Sequence, residues 1–588
     1  MNPEIVVAID FGTTRSAWAY HVNGQAGDKI LVRIPETALT SPSSSAKTET
    51  AALIGNCGEG RLLAFGNGAL NTHADYPSDN EALFRWFKIN LCEAKSGRSP
   101  DSVMVKSTAG HVVPLLGVMK ASLAFFKEDV LDFLSATSGT TVDAEDVTWV
   151  LTVPAIYDDY CKNFMRQAAY EAGIIENVRS AKLRLCLEPE AACLAVTSDG
   201  GDNPLTLEAV GKNIMIVDCG GGTIDITTHK VLSIDPLRLD ELAAPDGGLW
   251  GSSRVDNAFI GWFKTFMGEM FHMVDEAETL VDLMGRWESK KAEYQGLQSR
   301  QPLRLHLSNL AGNGVKVDDM KCLREAYNRG RREEHRVEVN KYMVSLPTTL
   351  VATFFTPTLN KIAACLRGIR EKTSVGDLHR VYVVGGFSGC PMVRETVRSV
   401  LGSDTCSVLQ VHEPDIAVVR GAVMYHSKWA TFKSRKAKLT YGYQVALPYD
   451  DKNMAHQRAH RAGEVHTDYN GKRRVTNVFQ VLIRAGDNLP SDGKLSTVKL
   501  TPWALNSPIL SVDIWTSSSR VPSFVSDEGC TKLGNILVGV DTTKATLEER
   551  SIRLELVFGG PELLVRIKHR TKDVQIAGAT INLSRSLS

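Results

Sequence analysis

The stretch IMIVDCGGGTIDITTHKV, Ile214 to Val231, sets the reading of the fold. An apolar run ends in Asp218, three glycines and Thr223 follow, and an alternating run resumes at Ile224. A strand–turn–strand with glycine at its tip brings backbone N–H groups close to an anion, because no Cβ blocks the approach. An acid beside that turn repels bare phosphate, so the pattern makes sense with a cation between them. The same pattern occurs in IVVAIDFGTTRSAWAY, Ile5 to Tyr20, where Asp10 ends the strand and Gly12, Thr13 and Thr14 make the turn. A third strand and glycine turn, VYVVGGFSGCP, runs from Val381 to Pro391. Two Asp–Gly–Thr hairpins imply a duplicated fold that grips a metal–nucleotide from both sides. No GxxxxGK[ST] run is present, which argues against a P-loop enzyme.

The 588 residues are too many for one core and suggest about three or four domains. Lys+Arg and Asp+Glu stand at 67 each, so global charge favours neither nucleic acid nor an anionic membrane. The eleven cysteines lack paired CxxC spacing, a pattern that suits reduced thiols in a cytoplasmic or nuclear compartment. The start, MNPEIVVAID, runs straight into a strand with no signal-peptide pattern, and no unbroken apolar run reaches the ~18–20 residues of a membrane span.

Helical periodicity is expected at Leu83–Leu91, Val118–Leu134, Tyr160–Ala172, Ser253–Phe271, Glu276–Tyr294 and Thr348–Lys372. Gly173 suits a helix C-terminus, and Pro189 and Pro391 suit helix starts. The segment Glu413–His426 is expected to be the last helix of this α/β region. Residues 296–345 look irregular, and the mixed-sign run Arg329–Arg336 reads as a solvated loop. Lys428–Thr440, KWATFKSRKAKLT, reads as a basic, unstructured connector. Beyond it, YGYQVAL, NVFQVLI, SVDIWTS, NILVGV, SIRLELVF and ELLVRIK are short strands separated by turn residues, the pattern of a β-sandwich.

DFGTTRS, VPAIYDDY, EPEAACLAV, DCGGGTIDI, VVGGFSGCP and EPDIAVVRGA come in an order that resembles the actin/sugar-kinase/heat-shock ATPase superfamily. The closest likeness is to the nucleotide-binding domain of the seventy-kilodalton heat-shock chaperones. The resemblance implies an α/β, two-lobed actin-like ATPase with duplicated ribonuclease-H-like lobes over residues 1–428, the lobes spanning about 1–205 and 206–428. A β-sandwich of substrate-binding type, residues 441–588, would follow. It implies ATP or ADP with Mg2+ as cofactors, with Asp10 and Asp218 reaching the metal through water. Gly12, Thr13, Thr14, Gly220, Gly221 and Gly222 would hold phosphates, while Lys88, Glu188, Thr223 and Asp225 would serve hydrolysis. Gly247 and Gly248, followed by Ser252 and Ser253, would line the closed cleft on the γ-phosphate side. Glu288 and Lys291 would contact ribose and adenine, and Gly385, Gly386, Ser388 and Asp415 would line the adenosine side.

Some residues depart from the family pattern. Gly389 and Cys390 stand where relatives often place an adenine-stacking arginine, and Arg15 follows the first threonine pair. The sequence given ends at Ser588 without the family's α-helical lid, and the connector lacks the acidic, leucine-rich linker. These features predict a divergent, lidless branch with weak coupling between the two parts. The expected activity is a slow ATPase that binds unfolded or extended polypeptide, with co-chaperones as further partners and no nucleic acid or membrane. A non-hydrolysing nucleotide-gated scaffold and a small-metabolite kinase are the alternatives.

Overall fold

The computed structural model describes residues 4–23, 30–35, 46–76, 78–93, 100–198, 205, 207–234, 236–274, 279–299, 301–426, 430–467, 471–490, 493–501, 508–539, 543, 546, 548–558, 564–569 and 572–575. Two sheets share one strand order. In the first, β1 (Ile5–Phe11) and β2 (Arg15–Val22) form the hairpin seen in the sequence, and β3 (Leu31–Arg33) extends it. On the other side of β1, β4 (Val147–Val153) and β5 (Leu183–Leu187) run parallel to it, so the order is β5-β4-β1-β2-β3. In the second sheet, β6 (Asn213–Cys219), β7 (Ile224–Ile234) and β8 (Leu237–Gly248) make the antiparallel half. There β9 (Leu378–Val384) and β10 (Ser407–Gln410) supply the parallel half, giving the order β10-β9-β6-β7-β8. This repeated order is what two Asp–Gly–Thr hairpins imply.

Both faces of these strands are covered, which explains their almost continuous apolar composition. One core joins β1 and β2 to helix Leu115–Ser138 through Phe11, Trp18, Phe126 and Trp149. Another joins β6 and β7 to three helices (Ser252–Met267, Thr279–Glu293 and Thr348–Arg370), with Trp287 stacked on Phe259 at 4.2 Å. A third core lies between the sheets. Helices Glu188–Ser198 and Ala417–His426 pack there against Val6, Ala8, Ile214, Ile216 and Val384. They approach so closely that a Cβ on Gly421 would sit 1.7 Å from the Ala191 carbonyl oxygen. Thr348–Arg370 is apolar enough for a membrane span by composition, but half of that window is buried inside the fold.

The structure corrects several expectations. Leu83 and Leu91 do not share a helix: Glu81–Arg85 is a strand, Trp86 turns the chain at φ +55°, and a short helix follows at Ile89–Glu93. The described residues between 296 and 345 include helix Val317–Asn328 and a three-stranded sheet with Leu303–His306 and Met343–Leu346. The run Arg329–Arg336 is solvated, as expected.

From Ala430 onward the connector is structured as well. β11 (Ala430–Phe432) adds to the edge of β8 in parallel, and β12 (Ser434–Lys436) pairs with Asn488–Pro490. Further on, a five-stranded sheet centred on Thr440–Pro448 and a four-stranded sheet ending in Lys572–Gln575 share a core that includes Ile483, Ile514, Leu533, Leu556 and Phe558. Strand Ile509–Ser517 alternates exposed and covered residues over most of its length, the period-two pattern read from its sequence.

Candidate functional site

The tips of the two glycine hairpins meet. A Cβ on Gly221 would sit 2.0 Å from Thr14 Oγ1, and one on Gly222 would sit 2.4 Å from Thr13 Oγ1, so only glycine lets these turns approach. Around them lies a cavity of about 390 Å³, lined by Asp10, Gly12, Thr13, Thr14, Glu188, Asp218, Gly220, Gly221, Gly222 and Thr223. Ser252, Glu288, Lys291, Gly385, Gly386 and Asp415 complete the part of its wall expected from the sequence. Helix Ser252–Met267 starts against the second turn, where Ser252 and Ser253 donate backbone N–H bonds of 3.2 and 2.9 Å to the Gly220 and Gly221 carbonyls. Gly385, at φ +81°, lies against Asp218, and a Cβ there would come within 2.4 Å of Asp218 Oδ1.

The site concentrates acid in a buried place. Asp218 and Asp225 lie directly opposite each other across β6 and β7, an arrangement that costs energy for two carboxylates. Burial, joined by repulsion from Glu188, Asp225 and Asp10, holds the Asp218 carboxyl well above its usual range. Burial also raises Asp225. The same cause pushes Glu188 up to about 7, although Lys88 stands beside it. Lys88 Nζ donates to Glu188 Oε1 at 3.1 Å and is only 1 % exposed.

Five of the expected residues lie off the cavity wall. Lys88 and Asp225 do not line the cavity. Lys88 sits behind Glu188, over the ring of Tyr157, and Asp225 Oδ1 accepts the Ile156 backbone N–H at 2.9 Å. Gly247 and Gly248 pair with Asp225 and Ile224 on β7 and also lie off the cavity wall. Side chains there would strike the Ile224 carbonyl at 2.0 Å and the Trp250 ring at 2.6 Å, so these glycines serve the close packing of β8. Ser388 is fully buried, outside the lining, and its Oγ has no hydrogen-bond partner among the described residues.

On the nucleoside side, Lys291 lines the cavity but donates to Asp256 Oδ1 at 2.7 Å, which also accepts from Trp287 Nε1. Glu288 pairs with Arg15 Nη2 at 2.9 Å, and Arg15 in turn reaches Glu49. Arg394 is spent on the backbone of the third glycine turn, donating to the Ser388 and Gly389 carbonyls. The wall there is made instead by Ala292, Phe387, Cys390 and Val418.

Sequence reasoning missed Lys47 and Thr152. Both bond Asp10: Thr152 Oγ1 donates to Oδ1 at 2.7 Å, and Lys47 Nζ pairs with Oδ2. Thr152 lies in a strand whose parallel pairing to β1 is not local, and Lys47 follows a serine-rich stretch of sequence that carries no motif.

A family model described as Hsp70 protein matches residues 113–320, a span that includes Glu188, the second glycine hairpin and Glu288. Heat shock 70 kDa protein 12A of Homo sapiens is 27% identical over 95% of this chain and 88% of its own length. Over most of its length this chain is thus similar to Hsp70 proteins, at the level of a divergent relative. Heat shock 70 kDa protein 12B of Homo sapiens is 24% identical over the same two shares. The chaperone protein DnaK of Stenotrophomonas maltophilia is 24% identical over 71% of this chain and 59% of its own length. The Hsp70 likeness and the mixed α/β sheets together give the chain an actin-like ATPase fold.

Proposed function

We propose that this protein binds Mg–ATP between its two glycine hairpins, hydrolyses it slowly, and uses its C-terminal sheets to hold extended polypeptide. In this reading residues 1–428 form a two-lobed nucleotide-binding domain, with lobes at about 1–205 and 206–428, and residues 441–588 form a β-sandwich. The abutting glycine tips over a cavity walled by Asp10, Glu188 and Asp218 carry the proposal. Its volume falls in the ~300–1,000 Å³ range of small-molecule sites. Buried acids placed opposite one another are a standing cost that a cation offsets, so the donor set fits Mg2+ held through water by Asp10 and Asp218. When bound, Mg2+ would neutralise phosphate charge.

The chain's own residues would do the rest. Backbone N–H groups of both turns, with Thr13 and Thr14, would fix the phosphate oxygens. Glu188 would orient the attacking water from the cavity wall, with Asp225 acting from behind. Lys88, shut away from the cavity, would hold Glu188 in place, acting as a positioning residue. Without the stacking arginine, base selectivity would rest on Glu288, Gly386, Phe387 and Cys390.

Thermal melting with and without nucleotide tests the reading. Ligand at ~1,000 times its Kd adds about 4 kcal/mol to the bound state, a shift of several degrees. No shift with either Mg–ATP or Mg–ADP at millimolar concentration rejects it. The positions of Lys88 and Asp225 off the cavity wall favour one second reading, a nucleotide-gated scaffold that does not hydrolyse. Phosphate release measured with and without an unfolded peptide separates the two.

A further inference from the structure

The phosphate end of the cavity contains a tethered cation. Thr48–Glu49 pairs with Arg15–Ser16 at the start of β2, and Thr50 donates its N–H to the Thr14 carbonyl at 2.7 Å. Thr50 Oγ1 also donates to the Gly12 carbonyl at 2.9 Å. Lys47 therefore hangs from a segment bonded to the first glycine turn itself. Its side chain is 11 % exposed, pairs with Asp10 and lines the cavity, whose wall also carries Asp218 and Asp415. The other cations near this site are committed elsewhere. Lys88 holds Glu188 behind the wall, Lys291 holds Asp256, and Arg15 bridges Glu49 and Glu288. Only Lys47, among these four, has as partner the acid at the tip of the first hairpin.

We propose that Lys47 is a resident cation of this phosphate site, working beside Mg2+, so that part of the nucleotide's affinity survives removal of the divalent ion. Between nucleotides the ammonium offsets Asp10. As the diphosphate or triphosphate arrives, one N–H of the ammonium stays with Asp10 while another takes a phosphate oxygen, so that the one charge bridges both anions. The inference rests on the nucleotide-binding reading above and adds a residue-specific tolerance to loss of Mg2+.

Calorimetric titration of the full chain with ADP, in Mg2+ and in excess EDTA, tests it without any need for turnover. In the wild type, EDTA is expected to weaken binding by less than about tenfold, because one fixed charge remains in place. In Lys47→Met and Lys47→Gln it is expected to weaken binding about 100-fold or more, while Lys47→Arg keeps the wild-type tolerance. Two variants of different polarity guard against loss of the fold, which ligand-free melting monitors. A wild type whose affinity collapses about 100-fold in EDTA, or neutral variants with wild-type tolerance, overturns the role of Lys47 alone. A wild type that fails to bind ADP even in Mg2+ overturns it together with the nucleotide-binding reading.

Discussion

Glu188 shows how a few ångströms decide a residue's work. It reaches the cavity wall, its carboxyl titrates near 7 because it is buried among acids, and Lys88 holds it from behind. Water can be activated only by the ionised form, so turnover should fall about tenfold per pH unit below 7 and level off above it. A pH profile of single-turnover hydrolysis checks this, and Glu188→Gln should leave a low, flat rate. The stability sign runs the other way. The folded state keeps this proton between pH 4.5 and about 7 while the unfolded chain releases it. Its contribution is therefore complete below 4.5 and is lost as pH rises through 7. Replacing Lys88 by Met removes the one charge that lowers the Glu188 carboxyl's affinity for protons at close range. The break in the pH profile should then move upward, and turnover at neutral pH should drop about 100-fold. ADP affinity should stay within a few-fold, since Lys88 does not line the cavity. Equal loss of affinity and rate would make Lys88 a ligand of the nucleotide. Of these residues, the hairpin acids could be read from the sequence because glycine and threonine flank them. Lys88 has no such flanking motif, and the left-handed turn at Trp86 that ends the strand before it leaves no periodic signature in the sequence.

The connector is the element whose composition misled most. Its basic residues look solvated in sequence, yet Arg435, Lys436 and Lys438 have distant partners. Arg435 makes a two-pronged pair with Glu190 at 2.7 and 3.0 Å, with Glu190 fully buried. The Lys436 N–H bonds Glu241 at 2.6 Å, and Lys438 donates to the Ile156 carbonyl at 3.1 Å. Ser434 bonds Asp240. No local pattern announces a strand whose acceptors lie about two hundred or more residues upstream. Arg435→Ala leaves a buried carboxylate without its counterion, which should cost about 3–5 kcal/mol in chemical denaturation. Arg435→Met combined with Glu190→Leu should recover most of that loss. Glu241 gives the same junction a pH signature. Burial pushes its carboxyl up to about 8, so its contribution to stability should be present below pH 4.5 and fade as pH rises through 8. Glu241→Gln should flatten that stretch of the melting-temperature profile.

For the whole molecule, the duplicated sheet order could be read from two hairpins and their β-branched strands. The packing between the sheets could not, because Gly421 against Ala191 is a contact between helices more than two hundred residues apart. That packing bears on whether the cavity and the C-terminal sheets could be coupled. A polar, undocked connector predicts weak coupling; a docked one would permit a stronger one. Glu188 on the cavity wall and Glu190 beneath Arg435 belong to one helix, and Arg435 lies five residues before the strand Thr440–Pro448. A shift of that helix when nucleotide binds would move the anchor of the C-terminal sheets. A ligand moves such an equilibrium only by its differential affinity for the two states. If the C-terminal sheets hold extended peptide, affinity for a labelled apolar peptide should differ by at least about tenfold between ATP and ADP, a coupling of about 1.4 kcal/mol or more. Fluorescence anisotropy measures this directly. The Arg435→Met, Glu190→Leu protein, folded but without its ion pair, should show less than about threefold. Equal coupling in that variant would shift the path to Tyr441, whose hydroxyl donates to Asp159 at 2.9 Å near the end of β4. No difference between nucleotides in the wild type would leave the connector a static brace, since its ion pair would then hold the same geometry in both states.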